Sequence, residues 1–118
     1  MSRRWIGWLA VLLALALVVP VAAQDRKSQL RTVHGFVVNK DELPLPGGIV
    51  YLKNLKTLTV KTYIADDEGR YRYSGLDPNV DYEIHAEHQG MASSKRTIST
   101  LNSSREIVIN LKVDKKKD

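Results

Sequence analysis

Three histidines, His34, His85 and His88, are the only side chains whose ordinary pKa suits them to act as general bases near neutrality. A zinc hydrolase needs paired ligands at a short fixed spacing, as in His-Glu-x-x-His, and these three provide none. Glu83, His85 and Glu87 are a different case. At alternate positions of a strand they project from one face, about 6.5–7 Å apart, where they could jointly hold a divalent cation. The same alternation makes them an ordinary solvated face opposite Tyr82, Ile84 and Ala86, and that is the reading adopted. Asp66, Asp67 and Glu68 gather carboxylates that hard cations favour. They lack the alternate spacing and distant Glu of a calcium loop, so they read as a polar turn tip. Tyr51, Tyr63, Tyr71 and Tyr73 offer rings on which a sugar could stack, with Arg70 and Arg72 as donors. The chain contains no Cys, which removes cysteine nucleophiles, thiolate zinc sites, disulfide frameworks and a lipidated N-terminus. The expectation is no catalytic residue, no cofactor and no resident metal.

The elements that would position these groups are strands. Val33, Gly35 and Val37 alternate with His34 and Phe36; Val50 and Leu52 with Tyr51 and Lys53; Val60, Thr62 and Ile64 with Lys61 and Tyr63. Tyr71 and Tyr73, then Tyr82, Ile84 and Ala86, then Ile107, Ile109, Leu111 and Val113 continue the period of two, each run implying one buried face. Turn residues separate the runs at 39–42, 44–48, 66–69, 77–79, 89–90 and 102–104. Strands at such spacing predict an all-β sandwich or barrel. Gly69 can supply the positive φ of a tight hairpin joining 60–65 to 70–74. Leu76 and Tyr82 bracket a corner of the type in which a buried Tyr bonds back to upstream backbone. The segment 91–97 is polar on both faces and reads as an edge strand guarded by Lys95 and Arg96, open to strand addition by a partner.

The N-terminus reads differently. Arg3 and Arg4 precede an apolar run from Trp5 to Val19, and Pro20 breaks it before Ala22 and Ala23, the layout of a signal peptide over residues 1–23. An uncleaved membrane anchor is the alternative, and the only route by which a membrane enters. The length of the whole chain, 118 residues, allows one domain. Removal of Arg3 and Arg4 lowers the net charge of +5 by two, and Lys115, Lys116 and Lys117 carry what is left. A charge of that origin does not predict nucleic-acid binding, which needs basic residues gathered on a face. The expected organisation is a linker over 24–30, a domain over 31–113 and a basic disordered tail over 114–118. Asn102-Ser103-Ser104 is a formal glycosylation sequon.

The succession Val33-x-Gly35-x-Val37, Pro44-Leu45-Pro46-Gly47, Asp66-Asp67-x-Gly69-x-Tyr71-x-Tyr73-x-Gly75-Leu76-x-Pro78 and Tyr82-x-Ile84-x-Ala86 resembles a carboxypeptidase regulatory-like domain. That resemblance implies a transthyretin-like (prealbumin-like) Greek-key β-sandwich of seven strands, in which Tyr71 and Tyr73 face inward and only Tyr51 and Tyr63 remain as surface aromatics. The family is non-catalytic, so folding, binding or assembly roles are implied rather than peptidase activity. Hydroxyisourate hydrolases share the topology but end in Tyr-Arg-Gly-Ser, which this chain lacks. Related adhesin repeats can carry a Lys-to-Asn crosslink; Asn110 has outward parity, and none is expected. The resulting expectation is an exported, periplasmic or extracellular module acting through an unknown protein or envelope component. A carbohydrate-binding module using Tyr51 and Tyr63 is the alternative, and a small hydrolase using His34, His85 and His88 a remoter one; Tyr51, Tyr63, Lys95 and Arg96 are the possible ligand surface. Gly35, Gly69, Leu76 and Tyr82 are expected to be structural.

Overall fold

The computed structural model describes residues 30–117, so the expected signal segment 1–23 and the expected linker up to residue 29 lie outside the described residues. Nine strand segments follow in order: β1 (Arg31–Asn39), β2 (Ile49–Asn54), β3 (Val60–Ile64), β4 (Arg70–Leu76), β5 (Tyr82–His88), β6 (Met91–Ser93), β7 (Arg96–Ile98), β8 (Glu106–Val108) and β9 (Leu111–Lys116). Two of the breaks are local. β8 and β9 both run parallel to β1 in one register, Thr32 facing Glu106 and Val37 facing Leu111. β6 and β7 both lie antiparallel to β5. The nine segments are therefore seven strands, two of them interrupted, in a Greek-key sandwich.

The strand order β3-β2-β5-β6-β9-β1-β4 shows how the layers close. β1 pairs with β4 and β8 through its first half and with β9 through its second. β9 also pairs antiparallel with β6, which ties the two layers together along one seam. Alternate residues of each strand fill the space between. Val33, Val37, Val50, Leu52, Tyr71, Ile84, Ile98 and Leu111 are almost wholly enclosed, and burial of a residue of this kind contributes about 1.5–3 kcal/mol each. Among the described residues, every member of the core lies between Val33 and Val113.

Four expectations are corrected. The turn at Gly69 closes no hairpin, because β3 pairs with β2 while β4 pairs with β1. Gly69 does adopt φ +77°, but its carbonyl accepts from the Val37 N–H at 2.7 Å, which sends the following strand along β1 in the other layer. The hairpin is instead β2–β3, turned at Asn54, whose Oδ1 accepts from the Lys56 and Thr57 N–H groups. That turn sets Val50 opposite Tyr63 and Leu52 opposite Lys61, so Lys61 and Tyr63 take the core side and Val60, Thr62 and Ile64 face out, the reverse of the expected parity. The segment 91–97 is not an edge throughout, because Met91–Ser93 is flanked by β5 and β9. Residues 114–117 are no frayed tail: β9 runs to Lys116, with Lys115 opposite Ala92 and the Lys117 N–H donating to the Gly90 carbonyl at 3.0 Å.

Candidate functional site

Period two on β5 sends Glu83, His85 and Glu87 outward, and the antiparallel register with β2 sets Tyr51 opposite His85. Their rings stack at 4.9 Å between centroids and 13° between planes. His85 Nε2 lies 3.0 Å from Glu87 Oε2, and the Lys117 ammonium lies 2.8 Å from Glu87 Oε1. These two donors, Lys117 foremost, hold the Glu87 carboxyl below the usual carboxylate range, and Glu87 in turn holds the Lys117 ammonium above its ordinary value. Glu83 turns away, towards Lys95 at 4.0 Å. His85 and Glu87 are thus together and Glu83 apart. Among the described residues, no three His, Asp or Glu side chains converge on a point where a metal could sit.

Tyr51 and Tyr63 are not brought together. Tyr63 shares a face with Val50, opposite to the face of Tyr51, and meets Tyr73 edge-on at 6.0 Å. Tyr73 points inward, its hydroxyl donating to the Val50 carbonyl at 2.9 Å. Burial pushes the Tyr73 phenol up to about 12, and pushes that of Tyr71 up also. Lys95 and Arg96 are both exposed, Arg96 opposite Ile84 on β7. The two tyrosines of the expected sugar surface therefore occupy separate faces.

The outer face of β1 and β4 carries a second polar group. His34 Nε2 lies 3.2 Å from Glu106, and Arg72 lies 3.9 Å from the same carboxylate. His88 is elsewhere, since β1 and β5 are not neighbours. Beside this group, His34, Phe36, Tyr63, Arg70 and Arg72 border an open cleft of about 360 Å³. Its cations are already engaged: Arg70 pairs with Glu68 and, at 3.8 Å, with Asp66. The Asp66 carboxylate faces its own turn and accepts from the Glu68 and Arg70 N–H groups, each at 2.9 Å. The Arg70 N–H is the main reason its carboxyl lies below the ordinary 3.8. The clustered acids at 66–68 thus cap a turn and hold an arginine.

Several structural roles become visible only in three dimensions. A Cβ on Gly35 would meet the Ile109 carbonyl oxygen at 2.1 Å, and that oxygen also accepts from the Tyr71 hydroxyl. Asn110 does point outward, yet its Oδ1 accepts from the Phe36 N–H at 3.0 Å, bridging the break between β8 and β9. The Tyr82 hydroxyl accepts from the Asp77 N–H at 2.9 Å and pins the corner that Leu76 begins. Arg31, only 2% exposed, was given no role by sequence reasoning. Its guanidinium donates to the carbonyls of Ser99 at 2.9 Å and Asn102 at 3.0 Å, stitching the 99–102 loop to the start of β1. Its one signal was a charge at the inward position of a strand. Ser93 had no signal at all, though its hydroxyl accepts from the Ala86 N–H at 2.8 Å where the ladder is interrupted.

A family model described as the carboxypeptidase regulatory-like domain matches residues 32–114. Among solved structures, the shaft pilin SpaA from Lactobacillus rhamnosus GG is similar at 13% identity and TM-score 0.58, over 75% of this chain and 49% of that one. A streptococcal ancillary pilin is similar at 14% identity and TM-score 0.56, over 75% of this chain and 33% of that one. Catechol 1,2-dioxygenase from Pseudomonas arvilla C-1 is similar at 12% identity and TM-score 0.55, over 75% of this chain and 53% of that one. The chain spans about half the length, or less, of these structures, and at such identities the likeness is one of fold. No curated protein sequence matches the chain.

Proposed function

Because the chain belongs to the carboxypeptidase regulatory-like domain family, we propose that it is an exported, non-enzymatic β-sandwich that works by presenting its surface to a protein or other component of the cell envelope. One observation carries the reading. Most of the side chains singled out for acid–base chemistry are engaged in pairs within the sandwich: Glu87 between His85 and Lys117, Glu106 between His34 and Arg72, Asp66 on its own turn. What remains for a partner is a rigid frame with half-polar outer faces and a free sheet edge. Fold likeness to two pilins is consistent with a contact role outside the cytoplasm, as is the signal-like segment 1–23. The carbohydrate reading is weaker, since Tyr51 and Tyr63 occupy opposite faces, and so is a hydrolase using three histidines on strands that do not converge.

The test is crosslinking and affinity capture from the native envelope with residues 24–118 as bait. Recovery of one stoichiometric protein is expected. Recovery of polysaccharide alone, or a turnover that a His34/His85/His88 triple Ala variant abolishes, overturns the proposal.

A further inference from the structure

The sheet order ends at β3 on one side and β4 on the other, and the two edges are built differently. β4 displays Arg70 and Arg72, and Gly75 at φ +75° lies where its pairing with β1 shifts register. Charge and irregularity of this kind discourage another strand from adding. β3 carries no proline and a single charge, Lys61, and all five of its residues are exposed. Val60 is 52% and Ile64 68% exposed, and Ile49 beside Ile64 continues the apolar strip.

The register identifies which groups lie on the open edge. The Ala65 N–H donates to the Gly48 carbonyl and the Asn54 N–H to the Thr59 carbonyl, both at 2.8 Å. Hydrogen-bonded pairs recur every second residue in an antiparallel ladder, so Lys61 and Tyr63 spend their backbone groups on β2. Val60, Thr62 and Ile64 turn theirs outward. Among the described residues, no strand lies on that side to receive them.

We propose that the occupant is a second copy of this chain, β3 pairing antiparallel with β3 about a two-fold axis through Thr62. The sequence Val60-Lys61-Thr62-Tyr63-Ile64 is self-complementary in that register. Val60 faces Ile64, Thr62 faces Thr62 and Ile64 faces Val60, each a pair that exchanges two backbone hydrogen bonds. On the outer face this joins apolar side chains across the axis and lets the two threonines bond to each other. On the other face Lys61 meets Tyr63, a cation over an aromatic ring. Centring the axis on any other residue leaves fewer of the outward groups paired. The contact is isologous and closes at two copies, and the guarded β4 edge prevents growth into a filament. This deepens the reading of the domain as a contact module by naming one partner. It is independent of the envelope component, because dimer formation can fail while capture succeeds, and the reverse.

The absence of cysteine makes the test specific. The full chain carrying Thr62→Cys, exported and oxidised in cells, is expected to yield a covalent species of twice the chain mass. A hydrogen-bonded antiparallel pair sets its Cα atoms about 5.5 Å apart, within disulfide range. Ser74→Cys, exposed on the β4 edge, is the collision control, and at least a tenfold excess over it is expected. Thr62→Lys, also at an exposed position, sets two ammonium groups on the axis and is expected to sediment as a monomer with an unchanged melting temperature. Equal crosslinking of the two Cys variants overturns the proposal. So does a Thr62→Cys chain that joins a different protein, a Thr62→Lys chain that remains dimeric, or an unaltered chain that stays monomeric at every concentration.

Discussion

Gly35 and Asp66 illustrate how much of this fold depends on single side chains, or on the lack of one. At Gly35 the strand passes so close to Ile109 that a Cβ would fall 2.1 Å from a backbone oxygen, and a backbone atom cannot swing aside. Gly35→Ala is expected to destabilise by about 1–3 kcal/mol, the cost of forcing atoms into a filled interior, and to weaken the Tyr71 bond to the same oxygen. Urea denaturation checks this; an unchanged midpoint means the strands are not held that close. Asp66 acts through charge. Its carboxyl is lowered below 3.8, chiefly by the Arg70 N–H, so the stability it contributes is complete above that value and is lost as pH falls through the depressed pKa of the folded state. Asp66→Asn keeps an acceptor but does not titrate. The difference in melting temperature between it and the unaltered chain is therefore expected to shrink as pH drops below 3.8, and a difference that grows there contradicts the sign.

Between elements, the interruptions of the ladder matter as much as the ladder. β5 needs a continuous partner, yet β6 and β7 part at Ser94 and Lys95, and the Ser93 hydroxyl takes over the bond to the Ala86 N–H. Ser93→Ala leaves that buried donor without an acceptor, at a cost of about 1–3 kcal/mol. Amide exchange at Ala86 should accelerate while that at Ile84 changes little; uniform acceleration would show that Ser93 acts through the core instead. Such devices mark the limit of what alternation reveals. Period two placed β5 and β9 correctly because in each only one alternation is apolar, and it placed Glu83, His85 and Glu87 on one face for the same reason; in β1, Val33 and Val37 take the core face although Phe36 and Val38 stand on the other. It misassigned β3, where Val60 and Ile64 on one face compete with Tyr63 on the other and the turn at Asn54, which has no Gly, decides the register. The stacking of Tyr51 on His85 and the bond of His34 to Glu106 depend on which strands lie side by side. That is a property of long-range pairing, and no local pattern in the sequence carries it.

On the scale of the molecule, the C-terminus decides whether the two layers stay together. Among the described residues, β9 is the one strand that pairs with both β1 and β6, and its final residues, though rich in lysine, are ordered by that position. Lys115 and Lys116 face Ala92 and Met91, and Lys117 reaches back to Glu87. The lowered Glu87 carboxyl and raised Lys117 ammonium keep this clasp charged from below the ordinary carboxyl value of 4.5 to beyond the ordinary lysine value of 10.5. It opens as acid protonates Glu87 or as strong base removes the Lys117 proton. A disordered tail could be removed without consequence. Removal of residues 114–118 should instead strip the outer end of the seam, leave Met91 and Ala92 with β5 alone while Ser93 keeps Val113, and expose the backbone groups of that end of β6. Two lost cross-strand pairs, at about 1 kcal/mol per hydrogen bond, correspond to a fall in melting temperature on the order of 10 °C for a domain of this size. Lys117→Ala isolates the charged clasp from the backbone pairing and should lower the melting temperature less than the truncation does, with the deficit diminished in high salt. If the truncated chain melts where the full one does, β9 ends in effect at Val113, and the layers are held by β1 and the core alone.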